Sequence, residues 1–318
     1  MPRIWIDITN IGLTNLLASL ACQLKASSSI LVTTSSDARP STVLDYYGIP
    51  YRRVAPLSSD GVQGYAERVA ALSRIVEDYS PDLLISDRDP AAVRTAFGLS
   101  IPTWTIFSFE RSTNPRMEKM TYPLCDKIFA SAFLDRSTIT QRGVTPDKIV
   151  RFDGFNECYL TPRRRTSISP AGRILVRPNG NQPRGWVDSV ISRISRDVPD
   201  SKMTVLANGT GYVPSRVHPR VNVQNFIPYP PVIDQDLFIG WGRILGESFS
   251  IGIPSIRTTT HTYPDLSIVY REQPVLRKPE EIAAAAVDLL YSRGRPENVG
   301  LESPIETVLR VLRQEYGS

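Results

Sequence analysis

The most constraining feature of this sequence is the alternation of short apolar runs with longer segments of helical period. Arg3–Ile8 reads as a buried strand, Leu13–Lys25 as an apolar-faced helix and Ser29–Thr34 as the next strand. A helix over Ser41–Tyr47 stops at Gly48, a strand follows at Tyr51–Val54, and Val62–Tyr79 carries apolar residues at helical spacing. Asp82–Ser86 is a strand. Asp89 can accept hydrogen bonds from the first free N–H groups of the helix that begins at Pro90 and ends near Gly98. Thr103–Phe107, Lys127–Ala130 and Ile149–Phe152 complete the strands of the first half. The polar stretch Thr161–Pro170, with Arg163, Arg164 and Arg165, has linker composition. The alternation then resumes. Arg173–Val176, Lys202–Leu206, Val221–Val223, Asp236–Ile239 and Ser255–Ile256 read as strands, with helices over Trp186–Asp197, Leu245–Ile251, Pro279–Tyr291 and Ile305–Glu315.

Alternating β and α units imply parallel sheets covered by helices on both faces. The expected fold class is therefore α/β, with two Rossmann-like doubly wound domains, residues 1–161 and 162–318, facing a central cleft. The last helix is a candidate to pack back on the first domain. In such folds ligands sit outside the carboxyl ends of the strands, so the residues that follow each strand are the ones to inspect.

Composition excludes several classes. Of 318 residues, 41% are hydrophobic and 22% charged, enough to bury a real core. Cys22, Cys125 and Cys158 are few and far apart, and the only histidines are His218 and His261; neither a disulfide framework nor a His-rich metal centre fits. No apolar run approaches the roughly 18 residues a bilayer span needs. No secretory signal is visible, so a cytoplasmic protein is expected, with peripheral membrane contact left open. The net charge is +5, and 31 of the 37 basic residues are arginine. Genome composition can produce that skew, as can a need for planar donors that grip phosphate or carboxylate.

Several strand ends carry candidate chemistry. After the first strand come Asn10 and Gly12; the turn either brings backbone N–H groups to an anion or is purely structural. Asp87-Arg88-Asp89 follows the fourth strand; it resembles the D-x-D pair that holds a metal–diphosphate in one class of sugar transferases, but Asp89 reads first as a helix cap and Arg88 as a group that neutralises its neighbours. Glu110 and Arg111 follow the fifth strand, as base and ligand contact or as a surface ion pair. In the second half, Arg177 suits a diphosphate clamp, and Asn208-Gly209 opens a loop that can expose backbone donors. Gly240-Trp241-Gly242-Arg243 leads from a strand into a helix whose Glu247 can accept from a ribose diol. His261 follows the next strand, as proton carrier or as an ordinary loop histidine.

Together these segments resemble domain-of-unknown-function family 354, of the glycosyltransferase-B (GT-B) clan and related to UDP-N-acetylglucosamine 2-epimerases. The resemblance rests on Ile4-Trp5-Ile6-Asp7-Ile8 with Asn10, Pro81-Asp82-Leu83-Leu84-Ile85-Ser86, Ala96–Pro102, Pro123–Ile128 and Asp153–Glu157 with Tyr159-Leu160. In the second half it rests on Val176-Arg177-Pro178, Ile239-Gly240, and Glu247 with Gly252-Ile253-Pro254. It implies a nucleotide-sugar donor of UDP or GDP type held mainly by the second domain, an acceptor held mainly by the first, and no bound metal or cofactor. Three departures stand out. Thr9-Asn10-Ile11-Gly12-Leu13 replaces Asp-Asn-Pro-Pro-His, Ser108-Phe109-Glu110-Arg111 replaces Asp-x-Glu-His, and Gly242-Arg243-Ile244 replaces Gly-Gly-Thr.

The expected function is metal-independent sugar transfer to an acceptor, which a lipid-linked molecule would suit. Glu110 is the expected base and His261 the reserve. Arg177, Arg243, Gly240 and Gly242 stabilise the leaving diphosphate, and Glu247 holds the ribose. The alternatives are a GT-B-like binding or scaffold protein without turnover, suggested by the departures, and a nucleotide-sugar 2-epimerase. Nucleic acid is not an expected partner, nor is integral membrane insertion.

Overall fold

In a computed structural model of the chain, the residues described are 1–54, 62–108, 115–160, 172–179, 182–183, 185–207, 212, 214–215, 218–260, 263–271, 273, 275–291 and 300–317. Contacts divide the chain into two units: Met1–Tyr159 with Glu302–Ser318, and Leu160–Leu301. The last helix groups with the first unit.

The first unit is built on seven strands, β1 (Arg3–Ile8), β2 (Ser29–Thr34), β3 (Arg52–Arg53), β4 (Leu83–Ser86), β5 (Thr103–Ile106), β6 (Lys127–Ser131) and β7 (Ile149–Phe152). They pair in the order β3-β2-β1-β4-β5-β6-β7, all parallel. Helices α1 (Ile11–Leu24), α2 (Ala38–Tyr46), α3 (Val62–Tyr79), α4 (Pro90–Gly98), α5 (Pro115–Thr121), α6 (Arg136–Thr140) and, after the return, the last helix Pro304–Tyr316 complete it. β1 and β4 are buried along almost their whole length, because a parallel sheet covered on both faces leaves no polar side. Trp5 stands between Leu31 of β2 and Leu84 of β4, and its indole N–H donates to Thr33 Oγ1 at 2.7 Å.

The helix starts have local causes. Asp89 accepts from the N–H groups of Ala91 and Ala92, and Pro90 occupies the first turn of α4. α1 begins at Ile11, capped by Asn10, so Gly12 lies inside the helix and not in the preceding loop. β3 is shorter than the strand expected at Tyr51–Val54. Helices α5 and α6, of seven and five residues, escape the sequence pattern because neither completes enough turns to show a period.

The return to the first unit is fixed at Asp153-Gly154. Glu302 N–H donates to the Asp153 carbonyl at 2.9 Å, and Asp153 N–H donates to Glu302 Oε2 at 3.1 Å. Gly154 faces the Glu302 carbonyl so closely that no Cβ fits. At the far end of the last helix, Tyr316 donates to the Asp82 carbonyl at 3.2 Å, and Glu315 pairs with Lys127 at 2.7 Å.

The second unit has five parallel strands, β8 (Arg173–Val176), β9 (Lys202–Leu206), β10 (Val221–Gln224), β11 (Leu237–Gly240) and β12 (Ser255–Arg257), in the order β10-β9-β8-β11-β12. Its helices are α7 (Trp186–Asp197), α8 (Ile244–Ser250), α9 (Ser267–Arg271) and α10 (Pro279–Tyr291), which makes the helix Pro304–Tyr316 α11. Val187, Val190, Ile191 and Ile194 of α7 pack with Ile282, Ala283 and Ala286 of α10 over Ile174, Val176, Leu237 and Ile239. The strand order reverses between β1 and β4 in the first unit and between β8 and β11 in the second. Those are the positions where doubly wound sheets open a crevice for ligands.

Candidate functional site

In the second unit the switch point is occupied by Arg177, which follows β8, and Trp241-Gly242-Arg243, which follows β11. The Arg177 guanidinium lies 4.8 Å from the Trp241 ring centroid, and its Nη1 donates to the Trp241 carbonyl at 3.4 Å. Trp241 is itself fixed, its indole N–H donating to the Pro178 carbonyl at 3.1 Å. Gly242 has φ +86, and a Cβ there would lie 2.7 Å from Arg177 Nη1. Glycine is thus required both by the backbone and by the guanidinium beside it. A Cβ at Gly240 would meet the Arg177 carbonyl at 2.8 Å, so the glycine lets β11 approach β8 closely; its own carbonyl accepts from Thr258 N–H. Among the described residues no carboxylate stands within ion-pair distance of Arg177. Burial holds its guanidinium below the usual value, opposed by Tyr263 and by Glu247 of α8.

Among the described residues, Arg243 differs from Arg177 in having a carboxylate partner. Its Nη1 is 2.9 Å from Asp265 Oδ2, a side chain with 1% of its surface exposed, and its guanidinium stacks 5.0 Å from the Tyr263 ring centroid. It therefore enters the site already paired, whereas Arg177, among the described residues, has no carboxylate partner. Glu247 lies one turn on in the buried helix α8, its N–H donating to the Arg243 carbonyl at 3.1 Å.

In the first unit the switch point holds a buried charge cluster. Arg68 of α3 is fully buried; its Nη2 is 3.0 Å from Asp7 Oδ1 and its Nε 2.8 Å from Asp89 Oδ2. These two carboxylates outweigh burial and hold the guanidinium above its usual value. Burial pushes Asp7 well up, with Arg68 opposing and Asp89 and Asp87 adding to it. Asp87 accepts from Thr9 N–H at 2.7 Å, from Thr9 Oγ1 at 3.0 Å and from the Asn10 N–H. Burial still raises its carboxyl to about 6, against those hydrogen bonds. Asn10 accepts from Gly12 N–H through Oδ1 at 2.8 Å. The Gly12 amide is therefore committed to the cap, in line with the structural reading of that turn and not with an amide aimed at a ligand.

Arg88 sits between two inward-turned aspartates at φ +74, a conformation that costs a non-glycine residue about 1–3 kcal/mol. The sequence reading has Arg88 neutralising those neighbours. Instead it turns away, donating to the Ser108 carbonyl at 3.3 Å and to Glu118 Oε1 at 2.9 Å. Glu118 is shared with Arg142, whose Nε is 2.7 Å from Oε2. Arg68 is the cation that pairs with Asp89, together with Asp7, while Asp87 is held by Thr9 and Asn10; Arg68 is not among the residues the sequence points to. Its signal was present: Gly64, Arg68, Leu72 and Val76 form the buried stripe of α3, with one charge at an otherwise apolar spacing. Trp241, Tyr263 and Asp265 were likewise unassigned.

Glu110, Arg111, Asn208, Gly209 and His261 lie outside the described residues, as does the Arg163–Arg165 run. Among the described residues, no group of three or more histidine, cysteine, aspartate or glutamate side chains is placed to hold a metal ion.

Comparison with known proteins places this arrangement. The family model described as a protein of unknown function (DUF354) matches residues 2–168, more than half of the chain. The chain belongs to that family. An uncharacterized protein of Methanocaldococcus jannaschii is 25% identical over 181 residues, covering 56% of this chain and 52% of the relative. The match therefore spans about half the relative's length. Among solved structures, a UDP-GlcNAc 2-epimerase of Neisseria meningitidis bound to UDP-GlcNAc superposes with a TM-score of 0.69 at 15% identity, over 98% of this chain and 100% of that one. The spinosyn forosaminyltransferase gives 0.62 at 13% identity, over 98% and 99%. This DUF354 member thus has the fold those proteins share, GT-B, with two Rossmann-like parallel sheets.

Proposed function

We propose that the second unit binds the diphosphate of a UDP- or GDP-sugar, and that the chain transfers that sugar to an acceptor. The observation that carries this reading is Arg177: a desolvated guanidinium at the switch point, laid on Trp241 and against Gly242, with no carboxylate in ion-pair reach among the described residues. A diphosphate supplies the charge that burial withholds, and charge-assisted hydrogen bonds to such an anion are the strong ones. Arg243, held by Asp265 and Tyr263, is a second and pre-oriented cation. Glu247 takes the ribose hydroxyls. A solved structure of the same fold, the UDP-GlcNAc 2-epimerase of Neisseria meningitidis, holds UDP-GlcNAc, which supports the same reading.

In the reaction the anomeric carbon–diphosphate oxygen bond breaks and the acceptor oxygen forms the new bond. The acceptor's proton passes to a base, for which Glu110 is proposed and His261 is the reserve. The nucleoside diphosphate leaves with the bond's electron pair, stabilised by Arg177.

The test is thermal unfolding with UDP, GDP and their sugar conjugates. A ligand at about a hundred times its Kd stabilises the fold by about 2.7 kcal/mol. Stabilisation by one nucleoside diphosphate that Arg177→Ala removes is the expected result. No response to any of them in the intact protein sinks the reading. Release of an isomerised sugar without an acceptor would reassign the reaction to 2-epimerisation.

A further inference from the structure

The first unit carries a second surface of interest, away from its strand-end crevice. α4 and α5 lie side by side, and Arg94 of α4 donates to the Met120 carbonyl of α5 at 3.4 Å. Two of the large exposed apolar side chains of the molecule meet here, Phe97 at 62% exposure and Met120 at 53%. Phe97 is one turn beyond Arg94 on the same face of α4. Beside it opens a groove of about 590 Å³, walled by Ile101, Pro102, Leu124 and Tyr316.

The charge that α4 and α5 present to solvent is one-sided. α4 contains no acidic residue after its cap, and α5 contains only Glu118. That carboxylate is turned inward, 5% exposed, between Arg88 and Arg142. Lys119 stays exposed beside Met120, and Arg94 is half-buried beside Phe97. Lys148 stands at the groove, its ammonium on the Pro123 carbonyl at 3.0 Å. The two acids of the groove are both engaged, Asp126 by the Thr103 N–H at 2.7 Å and Glu315 by Lys127. An exposed phenylalanine and methionine, with Arg94 and Lys119 beside them and the one carboxylate of α5 turned inward, match the headgroup region of a membrane. Apolar side chains there enter the acyl boundary, and basic ones meet lipid phosphates.

We propose that this α4–α5 face docks the protein on an anionic phospholipid bilayer. The contact is peripheral, since no helix among the described residues is long and apolar enough to cross a membrane. It is independent of the donor site and of the reaction proposed above. It also fits an acceptor carried in a membrane.

Co-sedimentation of the full chain with large vesicles tests it. Vesicles of phosphatidylcholine alone are compared with equal parts phosphatidylcholine and phosphatidylglycerol. Binding to the anionic vesicles, weakened by salt, is expected. Each basic residue near such a surface is worth about fivefold in partitioning, so Arg94→Glu with Lys119→Glu lowers it by roughly twentyfold or more. Phe97→Ser with Met120→Ser lowers it about tenfold or more with an unchanged melting temperature, because both side chains are already in water. Tyr46→Ser, exposed on α2, leaves it unchanged. Equal binding to both vesicle types, no binding to either, or unchanged binding by the Phe97/Met120 variant overturns the proposal. Association with soluble polyglutamate but not with vesicles would overturn it too, and would assign the face to an acidic protein.

Discussion

The guanidinium of Arg177 lies 4.8 Å from the centre of the Trp241 ring, across the point where the second sheet reverses its strand order. The geometry predicts two ways of disabling one site. Arg177→Ala removes the cation, and Gly242→Ala places a Cβ 2.7 Å from Nη1 and pushes the guanidinium away. A hydrogen bond to a charged group contributes about 1.5–3 kcal/mol. Each variant is therefore expected to weaken nucleoside-diphosphate binding roughly tenfold to a hundredfold, measured by calorimetric titration, while leaving nucleoside binding nearly unchanged. Equal losses for nucleoside and diphosphate would place the ligand's charge elsewhere.

Arg68 is the shared partner of Asp7 and Asp89, with all three side chains at 0% exposure. Arg68→Leu leaves two buried carboxylates without their cation. Breaking such a buried pair from one side costs about 3–5 kcal/mol. Urea unfolding of the variant should show a loss of that order, and a loss below about 1 kcal/mol would mean the cluster is not stabilised by that charge.

Asp87 gives stability a defined pH dependence. Its carboxyl titrates at about 6 in the folded chain against 3.8 when unfolded, so between those values the folded state binds more protons. Stability from this group is then lost as pH rises through that window and is fully retained below it. Asp87→Asn removes the titration. The variant's stability relative to the natural protein should rise as pH goes from about 4 to about 7, read from urea midpoints across that range. A difference that is flat in pH would contradict the burial argument.

Gly154 faces the Glu302 carbonyl, where the chain rejoins the first unit. Gly154→Ala forces the two backbones apart and should cost about 1–3 kcal/mol, as overpacking does. Hydrogen exchange should accelerate at Glu302 and in the first turn of α11 before it does in β1 or β4.

Much of the fold was legible because it follows from local pattern. The strands Arg3–Ile8 and Ser29–Thr34 read correctly because a strand covered on both faces is a largely apolar run, and the edge strand Ile149–Phe152 because it is short and apolar at its ends. The start of α4 was readable from Asp89 and Pro90, since a cap is decided within three residues. Pattern fails where an element is shorter than its own period, as in α5 and α6. It also fails where a contact joins distant parts of the chain, as between Lys127 and Glu315.

For the candidate site, the sequence by itself determined which residues follow the strands: Asn10, Arg177, Gly240, Gly242, Arg243 and Glu247. The order of apolar runs alone dictates that placement. Only the tertiary structure decided their electrostatic states. Arg177 and Arg243 are indistinguishable as sequence, each an arginine after a strand. Asp265, 22 residues beyond Arg243, folds back to pair with one of them, and Arg177 lies on Trp241 and against Gly242 with no carboxylate in ion-pair reach among the described residues. Charge pairing depends on distance in space, and burial sets how much an unpaired charge costs. Neither quantity is written in the spacing of residues along the chain.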